Sequence, residues 1–557
     1  MNFMNKKKLA LILLLSVMAV LCAVFVRIDA RNMVFCPGRG EHAAVTIKLN
    51  AYEEKIYPYY SSREDTYYFF LPSMLCDHVI YNDSFDADMV IDHRRIGKFG
   101  AFAWEEGKTY LFTYGEEDVK VRFMVSSALP ALFITTEEGH TRLLDEDKTH
   151  TEPGWMDAIE ADGSVSYSGS LMIHGRGNSS FSTFLKKPYN IELNKAAGIL
   201  GMNRDKDWCL LANAWDYSYM NNKLALDMAA GAGFEYVPDA EYADIYFNGN
   251  YYGIYLVAEK AEVSAEKISI TDLEKKNERA NPGTDMLEAE KFDTGKQRGV
   301  RLENLPSDIT GGYWIEADYR LASDYTNRII SESYFETDFG TSFGIRSPKY
   351  ADEREIAYIS SLMNEVEQAV RSEDGLSETG KTWLDYIDLT SWVRWYMVAE
   401  IANDPDKGVT NTYYYKDTDS ADPKLRMGPV WDYDNRFGGT EYHPSAESMT
   451  AFSSGGWIGD LCKKPEFQEA VRREWASFFR DYLTNEAPGK IDMWQEQIRK
   501  SVMMDNIRWF RGSGYPRLWP KDGVSFTGAY NFDDEADYLK NWIGKRREFL
   551  DSCWSGN

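Results

Sequence analysis

The chain has 557 residues, 44% hydrophobic and 14% aromatic, which is enough apolar material for large cores and for two or three domains, and which excludes a disordered protein. Its formal net charge of -26 excludes nucleic acid as a partner, because a phosphate backbone needs a basic face and no Lys/Arg cluster here is long enough to provide one. The cysteines contain no Cys-x-x-Cys pair, which argues against a zinc site or a disulfide framework and leaves only a Cys36–Cys76 bridge open.

At the N-terminus, Lys6-Lys7-Lys8 precedes an uncharged apolar run from Leu9 to Val26 that is long enough to span a bilayer as a helix. Positive charge on the short side predicts export of the rest of the chain. Ala30-Arg31 is a poor cleavage site, so residues 1–30 are expected to be an uncleaved membrane anchor rather than a removed signal segment. On this expectation the protein is a single-pass protein of the cell membrane, or is secreted or at the cell surface if the segment is cut.

Residues 43–128 alternate apolar and polar positions in short runs, such as Val45-Thr46-Ile47-Lys48-Leu49 and Val119-Lys120-Val121-Arg122-Phe123, and predict a small all-β accessory domain. A second region, 129–263, contains a strand that runs into Gly175-Arg176-Gly177-Asn178-Ser179-Ser180, where glycines allow backbone N–H groups to approach phosphate oxygens. Tyr189, Ile191 and Leu193 then share one strand face, and alternation carried back from them puts Lys187 on that apolar face and Lys186 off it. A buried lysine calls for an anion or for a snorkelling side chain, and both readings stay open. A helix is expected from Tyr217 to Ala230, and after it a hairpin turning at Asn248-Gly249 and ending near Glu259.

In residues 264–442, the charged stretch 274–299 predicts an exposed or mobile loop and Glu355–Val370 an amphipathic helix. Two acidic clusters come next, Asp404-Pro405-Asp406 with Asn411, and Asp432-Tyr433-Asp434, joined by a short strand from Thr412 to Lys416. Carboxylate and amide oxygens so arranged suit a hard cation such as Mg²⁺. Residues 443–557 predict a helical extension.

The order of these pieces resembles a protein kinase, and the motifs themselves are similar to those of the spore coat CotH kinase family. The matching stretches are Gly175 to Ser180, Lys186-Lys187-Pro188-Tyr189, Leu210-Leu211-Ala212-Asn213, Asn248-Gly249-x-Tyr251-Tyr252-Gly253-x-Tyr255, Thr310-Gly311-Gly312-Tyr313-x-x-Glu316, Ser347-Pro348-Lys349 and Trp431-Asp432-Tyr433-Asp434. The resemblance implies an α+β, atypical bilobal protein-kinase-like fold, with an N-lobe over 129–263 and a C-lobe with its insertion over 264–442. It implies transfer of the γ-phosphate of ATP, with Mg²⁺, to Ser or Thr of a surface or spore coat protein. It assigns Lys187 to the ATP phosphates, Asp406 as the catalytic Asp with Asp404 as rival, and Asn411 and Asp432 to metal with Asp434 as second candidate. Arg176, Asn178 and Ser179 would line the phosphates, and Glu259 is either at the adenine or on the surface. No acid on a helix stands out as a partner for Lys187; Asp216 is the nearest. Two other classes are compatible with the chain: a surface adhesin or pseudokinase that keeps the fold without catalysis, and a carbohydrate-active enzyme with paired carboxylates.

Overall fold

A computed structural model describes residues 33–36, 44–49, 52–76, 78–82, 89–114, 117–325, 329, 331–404, 406–438, 447, 450, 456–510 and 532–555. The chain is mixed α and β, with a β-sheet-rich N-terminal region and a helical C-terminal region, and forms two compact units. The first comprises residues 1–212, 241–257 and 497–515, and the second residues 213–240, 258–496 and 516–557.

In the first unit, a five-stranded and a six-stranded sheet are built from short strands between residues 33 and 125. Strands Thr66–Leu71 and Glu117–Val125 pair in parallel and bury Phe69 against Phe123, which also stacks on Trp104. Aromatic and β-branched side chains on a pleated face account for this core. The same unit holds a closed seven-stranded barrel, in the order 131–136, 151–159, 165–175, 189–197, 205–211, 250–259 and 240–247, sealed by the parallel pairing of Ala131 to Ile134 with Asp244 to Phe247. The last two strands are the expected hairpin. Asn248 and Gly249 both have positive φ at its turn, as a two-residue connection between twisted strands requires.

Lys186 is the lysine that goes inside. It is 1% exposed, its ammonium lies 2.6 Å from the Asp505 carboxylate, and it donates to the Ile254 carbonyl at 2.6 Å. Asp244 lies in the same interior and accepts from Tyr251 Oη at 2.8 Å and Ser501 Oγ at 2.9 Å. Two carboxylates and one ammonium would leave a buried negative charge. Burial, reinforced by Asp505, pushes the Asp244 carboxyl up to about 7, so a proton neutralises the cluster at mildly acidic pH. Gly253 makes room for it: a Cβ there would fall 1.9 Å from Asp505 Oδ1, and its φ of +113° disfavours other residues.

The second unit is built on a seven-stranded antiparallel sheet, ordered 290–293, 297–301, 334–336, 342–347, 313–317, 412–416 and 426–427. Helix Glu353–Arg371 starts at a reciprocal cap between Asp352 and Glu355 and buries Ile356, Ile359, Met363, Val366 and Val370. The stretch read as a loop, 274–299, instead contains the helix Leu273–Ala280, capped by Asp272, and the first strands of the sheet. Composition misled there because two buried amides replace apolar anchors. Asn277 donates to Glu355 at 3.1 Å, and Asn281 exchanges hydrogen bonds with the Asn304 backbone at 2.8 and 3.0 Å. Helix Leu389–Ala402 is held from within by Glu400, whose carboxylate meets Arg546 at 2.8 Å with both side chains fully buried.

The membrane expectation is corrected. Among the described residues no helix is long and apolar enough to cross a membrane. The long helices Glu353–Arg371, Ala487–Asp505 and Phe532–Trp554 all carry charged side chains along their length. Single-pass localisation and membrane contact therefore have no support, and residues 1–30, on which they rested, lie outside the described residues. The side chain of Cys36 also lies outside them, and with it the Cys36–Cys76 bridge.

The interior of the first unit makes two outcomes testable. Gly253→Ala is expected to lower the stability of the protein by about 3 kcal/mol in denaturant unfolding, since it combines a clash with an unfavourable φ; an unchanged midpoint would contradict the packing described. Between the ordinary carboxyl pKa of 3.8 and about 7, folded Asp244 holds a proton that the unfolded chain has lost. Its contribution to stability is complete below that window and is lost as pH rises through it. Asp244→Asn, which stays neutral, should therefore gain on wild type in melting temperature from pH 5 to pH 8; parallel curves would refute the assignment.

Candidate functional site

Helix Leu389–Ala402 ends at Asn403, which takes the left-handed conformation (φ +50°) and turns the chain out of the helix. The next carboxylate, Asp404, is therefore carried beneath the turn rather than onto the surface. Its side chain is 0% exposed, and its Oδ1 accepts from the Asp406 backbone N–H at 3.1 Å. The Asp406 side chain points outward and is 56% exposed. Its carbonyl accepts from Thr410 N–H at 2.9 Å, which closes the loop before strand Thr412–Lys416.

Two cations fill the space behind this loop. The Arg436 guanidinium lies 2.5 Å from Asp404 Oδ1 through Nε and 2.5 Å from Asp406 Oδ2 through Nη2. Burial alone would lower its pKa, but Asp404 and then Asp406 hold it above its ordinary value. The Lys407 ammonium lies 3.3 Å from Asp404 Oδ2, donates to the carbonyls of Trp431 at 2.7 Å and Asp432 at 3.1 Å, and sits over the Tyr433 ring. Buried Asp404 thus faces two buried cations, and its negative charge is compensated.

The segment 431–436 is irregular backbone, not a strand, so the alternation that would put Asp432 and Asp434 on one face does not apply. Asp432 has a φ of +67°, a conformation that costs energy and needs support from its surroundings. That support comes from the start of helix Asn221–Ala232. Asn221 donates to the carbonyls of Asp434 at 3.1 Å and Arg436 at 2.9 Å, and Asn222 accepts from Tyr433 N–H at 2.7 Å. The exposed Asp432 carboxylate is met by Asn411 Nδ2 at 2.8 Å. Asp216 accepts from Asn221 N–H at 2.7 Å and from Ser218, and burial pushes it up to about 7.

Among the described residues no group of three or more His, Cys, Asp or Glu side chains is arranged to hold a metal. A magnesium ion does not require one, because it is commonly bound by one or two protein oxygens with substrate phosphates and water completing the shell. The exposed Asp432 carboxylate beside Asn411 fits that demand, and both are oxygen donors suited to a hard cation. Lys407 pairs with Asp404 and Arg436 with both Asp404 and Asp406, while the Asp432 carboxylate is exposed beside the Asn411 amide.

In the first unit, the Gly175-Arg176-Gly177 turn is shaped by its own side chains. A Cβ at Gly175 would meet the Phe181 ring at 2.4 Å, and one at Gly177 (φ +81°) would meet Ser180 Oγ at 2.4 Å. Arg176 N–H donates to the Pro188 carbonyl at 3.0 Å, Asn178 Oδ1 accepts from Lys148 Nζ at 3.1 Å, and Ser179 is exposed at the start of a short helix. Lys187 is half-buried rather than buried. Its ammonium donates to the Phe181 carbonyl at 2.5 Å, and burial lowers its pKa against the opposing field of Asp145. Alternation failed at this pair because the strand begins at Tyr189, and Lys186, Lys187 and Pro188 precede it. Asp145, on the short helix Arg142–Glu146, is the acid that electrostatics links to Lys187. Glu259, in the second unit, is nearly buried and accepts from Asp239 N–H at 3.1 Å.

Sequence reasoning missed Arg436, Lys407, Asn221, Asn222, Lys148 and Asp145. Only Arg436 and Lys407 carried a signal, as isolated cations within acidic clusters.

No curated protein matches the chain. A family model described as CotH kinase protein matches residues 173–550. That match takes in more than half of the sequence and runs from the glycine turn through the acidic loops to the C-terminal helices, so the chain belongs to the CotH kinase protein family.

Proposed function

We propose that this protein is an atypical protein kinase of CotH type that transfers the γ-phosphate of ATP to a Ser or Thr hydroxyl of a protein substrate. The observation that carries the reading is the contrast between two neighbouring carboxylates: Asp404 is fully buried between two cations, whereas Asp406 is exposed and oriented by the same arginine. In this reading the fold is bilobal and kinase-like, with an accessory domain over 43–128, an N-lobe over 129–263, a C-lobe over 264–442 and a helical extension over 443–557.

Each residue then has a chemical task. Asp406 accepts the proton of the acceptor hydroxyl as its oxygen attacks the γ-phosphorus; the bond from that phosphorus to the bridging oxygen breaks, and ADP leaves. Asn411 and Asp432 would hold Mg²⁺, with Asp434 as a further candidate ligand, and the ion would supply charge neutralisation on the phosphates. Lys187, with Arg176, Asn178 and Ser179 at the glycine turn, is assigned to phosphate oxygens, and Glu259 to the adenine side. Lysine at such a position acts as a compact charge whose reduced pKa still leaves it a hydrogen-bond donor.

Incubation with labelled ATP and Mg²⁺ is expected to phosphorylate the protein itself or an added Ser/Thr-rich protein, and Asp406→Asn to lower the rate by about 10²- to 10⁴-fold, the usual contribution of a general base. Equal incorporation by wild type and variant would sink the kinase reading. Mg²⁺-dependent stabilisation by ATP separates catalysis from a retained fold. At a hundredfold excess over Kd it amounts to about 2.7 kcal/mol, and Asp432→Asn should remove it. Binding that survives in a wild type without transfer would favour the pseudokinase.

A further inference from the structure

Arg436 is a largely buried arginine with two charged contacts. Its Nε lies 2.5 Å from Asp404 and its Nη2 lies 2.5 Å from Asp406, so one rigid plane bridges a fully buried carboxylate and an exposed one. The guanidinium is itself fixed. It is nine-tenths buried, and its backbone carbonyl accepts from Asn221 at 2.9 Å. Asp404 is in turn held by Lys407 and by the Asp406 backbone N–H. The chain of support therefore runs from helix Asn221–Ala232 through Arg436 to one oxygen of Asp406, and the other oxygen, Oδ1, is left for a proton.

We infer that Arg436 is a positioning residue for phosphoryl transfer, that it sets the direction of the Asp406 carboxylate, and that Asp404 is its buried anchor rather than a second base. The inference rests on the proposed kinase reading. Lysine cannot replace the residue fully, because a point charge on a flexible stem reaches one carboxylate at a time, whereas the guanidinium fork holds both in fixed geometry. Nucleotide binding is assigned to other groups, so the loss on substitution falls on kcat.

The test compares wild type, Arg436→Lys, Arg436→Gln, Asp406→Asn and the Asp406→Asn/Arg436→Gln double variant, with melting temperature, Mg²⁺·ATP affinity and steady-state transfer measured on each. Arg436→Gln is expected to lower kcat by about 10²-fold, the cost of misplacing a reacting group by about 1 Å, with ATP affinity held within about threefold. Arg436→Lys should fall between this variant and wild type. Because Arg436 acts through Asp406, the double variant should be no slower than Asp406→Asn alone.

A transferring wild type with an unimpaired or faster Arg436→Gln overturns this inference and leaves the kinase reading intact. So do additive losses in the double variant, or loss of ATP affinity together with folding in both arginine variants, since these mark a merely structural role. A wild type that transfers no phosphate overturns the kinase reading and this inference with it.

Discussion

The second unit depends at its centre on a buried carboxylate that is never left alone. Asp404 would be costly to bury without compensation, and Lys407 from the same loop and Arg436 from the later segment 431–436 provide it. Their other contacts give the arrangement its reach. Lys407 holds the carbonyls of Trp431 and Asp432, and Arg436 holds Asp406, so the loop after helix Leu389–Ala402 and the segment 431–436 are tied together. Hydrophobic packing alone would not have specified these positions, because apolar contacts tolerate shifts that a two-pronged ionic contact does not.

The first unit solves a related problem differently. Lys186, Asp505 and Asp244 place an unequal number of charges in its interior, and the imbalance is absorbed by a proton on Asp244 instead of by a second cation. Protonation makes that cluster sensitive to mild changes in pH. The Asp404 cluster has a cation beside each carboxylate oxygen and leaves the Asp406 side chain exposed. One interior thus absorbs its excess charge with a proton, and the other with cations, beside an exposed carboxylate.

Local chemistry was legible in the sequence wherever a rule acts on adjacent residues. Asn248-Gly249 announced its hairpin because the turn demands positive φ at both positions, and the apolar spacing from Ile356 to Val370 announced its helix. Alternation misled at Lys186 and Lys187, which precede the strand, and at Asp432 and Asp434, where no strand exists. Low apolar content hid the helix Leu273–Ala280, because Asn277 and Asn281 anchor it through hydrogen bonds to distant partners. Arg436 showed only as an isolated cation beside acidic residues: its significance lies in two carboxylates, Asp404 and Asp406, that only the folded chain brings to it. The family motifs were readable from Gly175 to Asp434, within the region that the CotH kinase model matches.

On the proposed reading, the exposed Asp406, held by an anchored arginine, serves transfer of phosphate from ATP to a hydroxyl. Intact-mass analysis of the purified chain and an added Ser/Thr-rich protein after incubation with Mg²⁺ and ATP is the decisive measurement. Added phosphate groups that map to Ser or Thr, and that disappear when Mg²⁺ is chelated, are the expected result. Unchanged masses under conditions in which Mg²⁺·ATP demonstrably binds would contradict it.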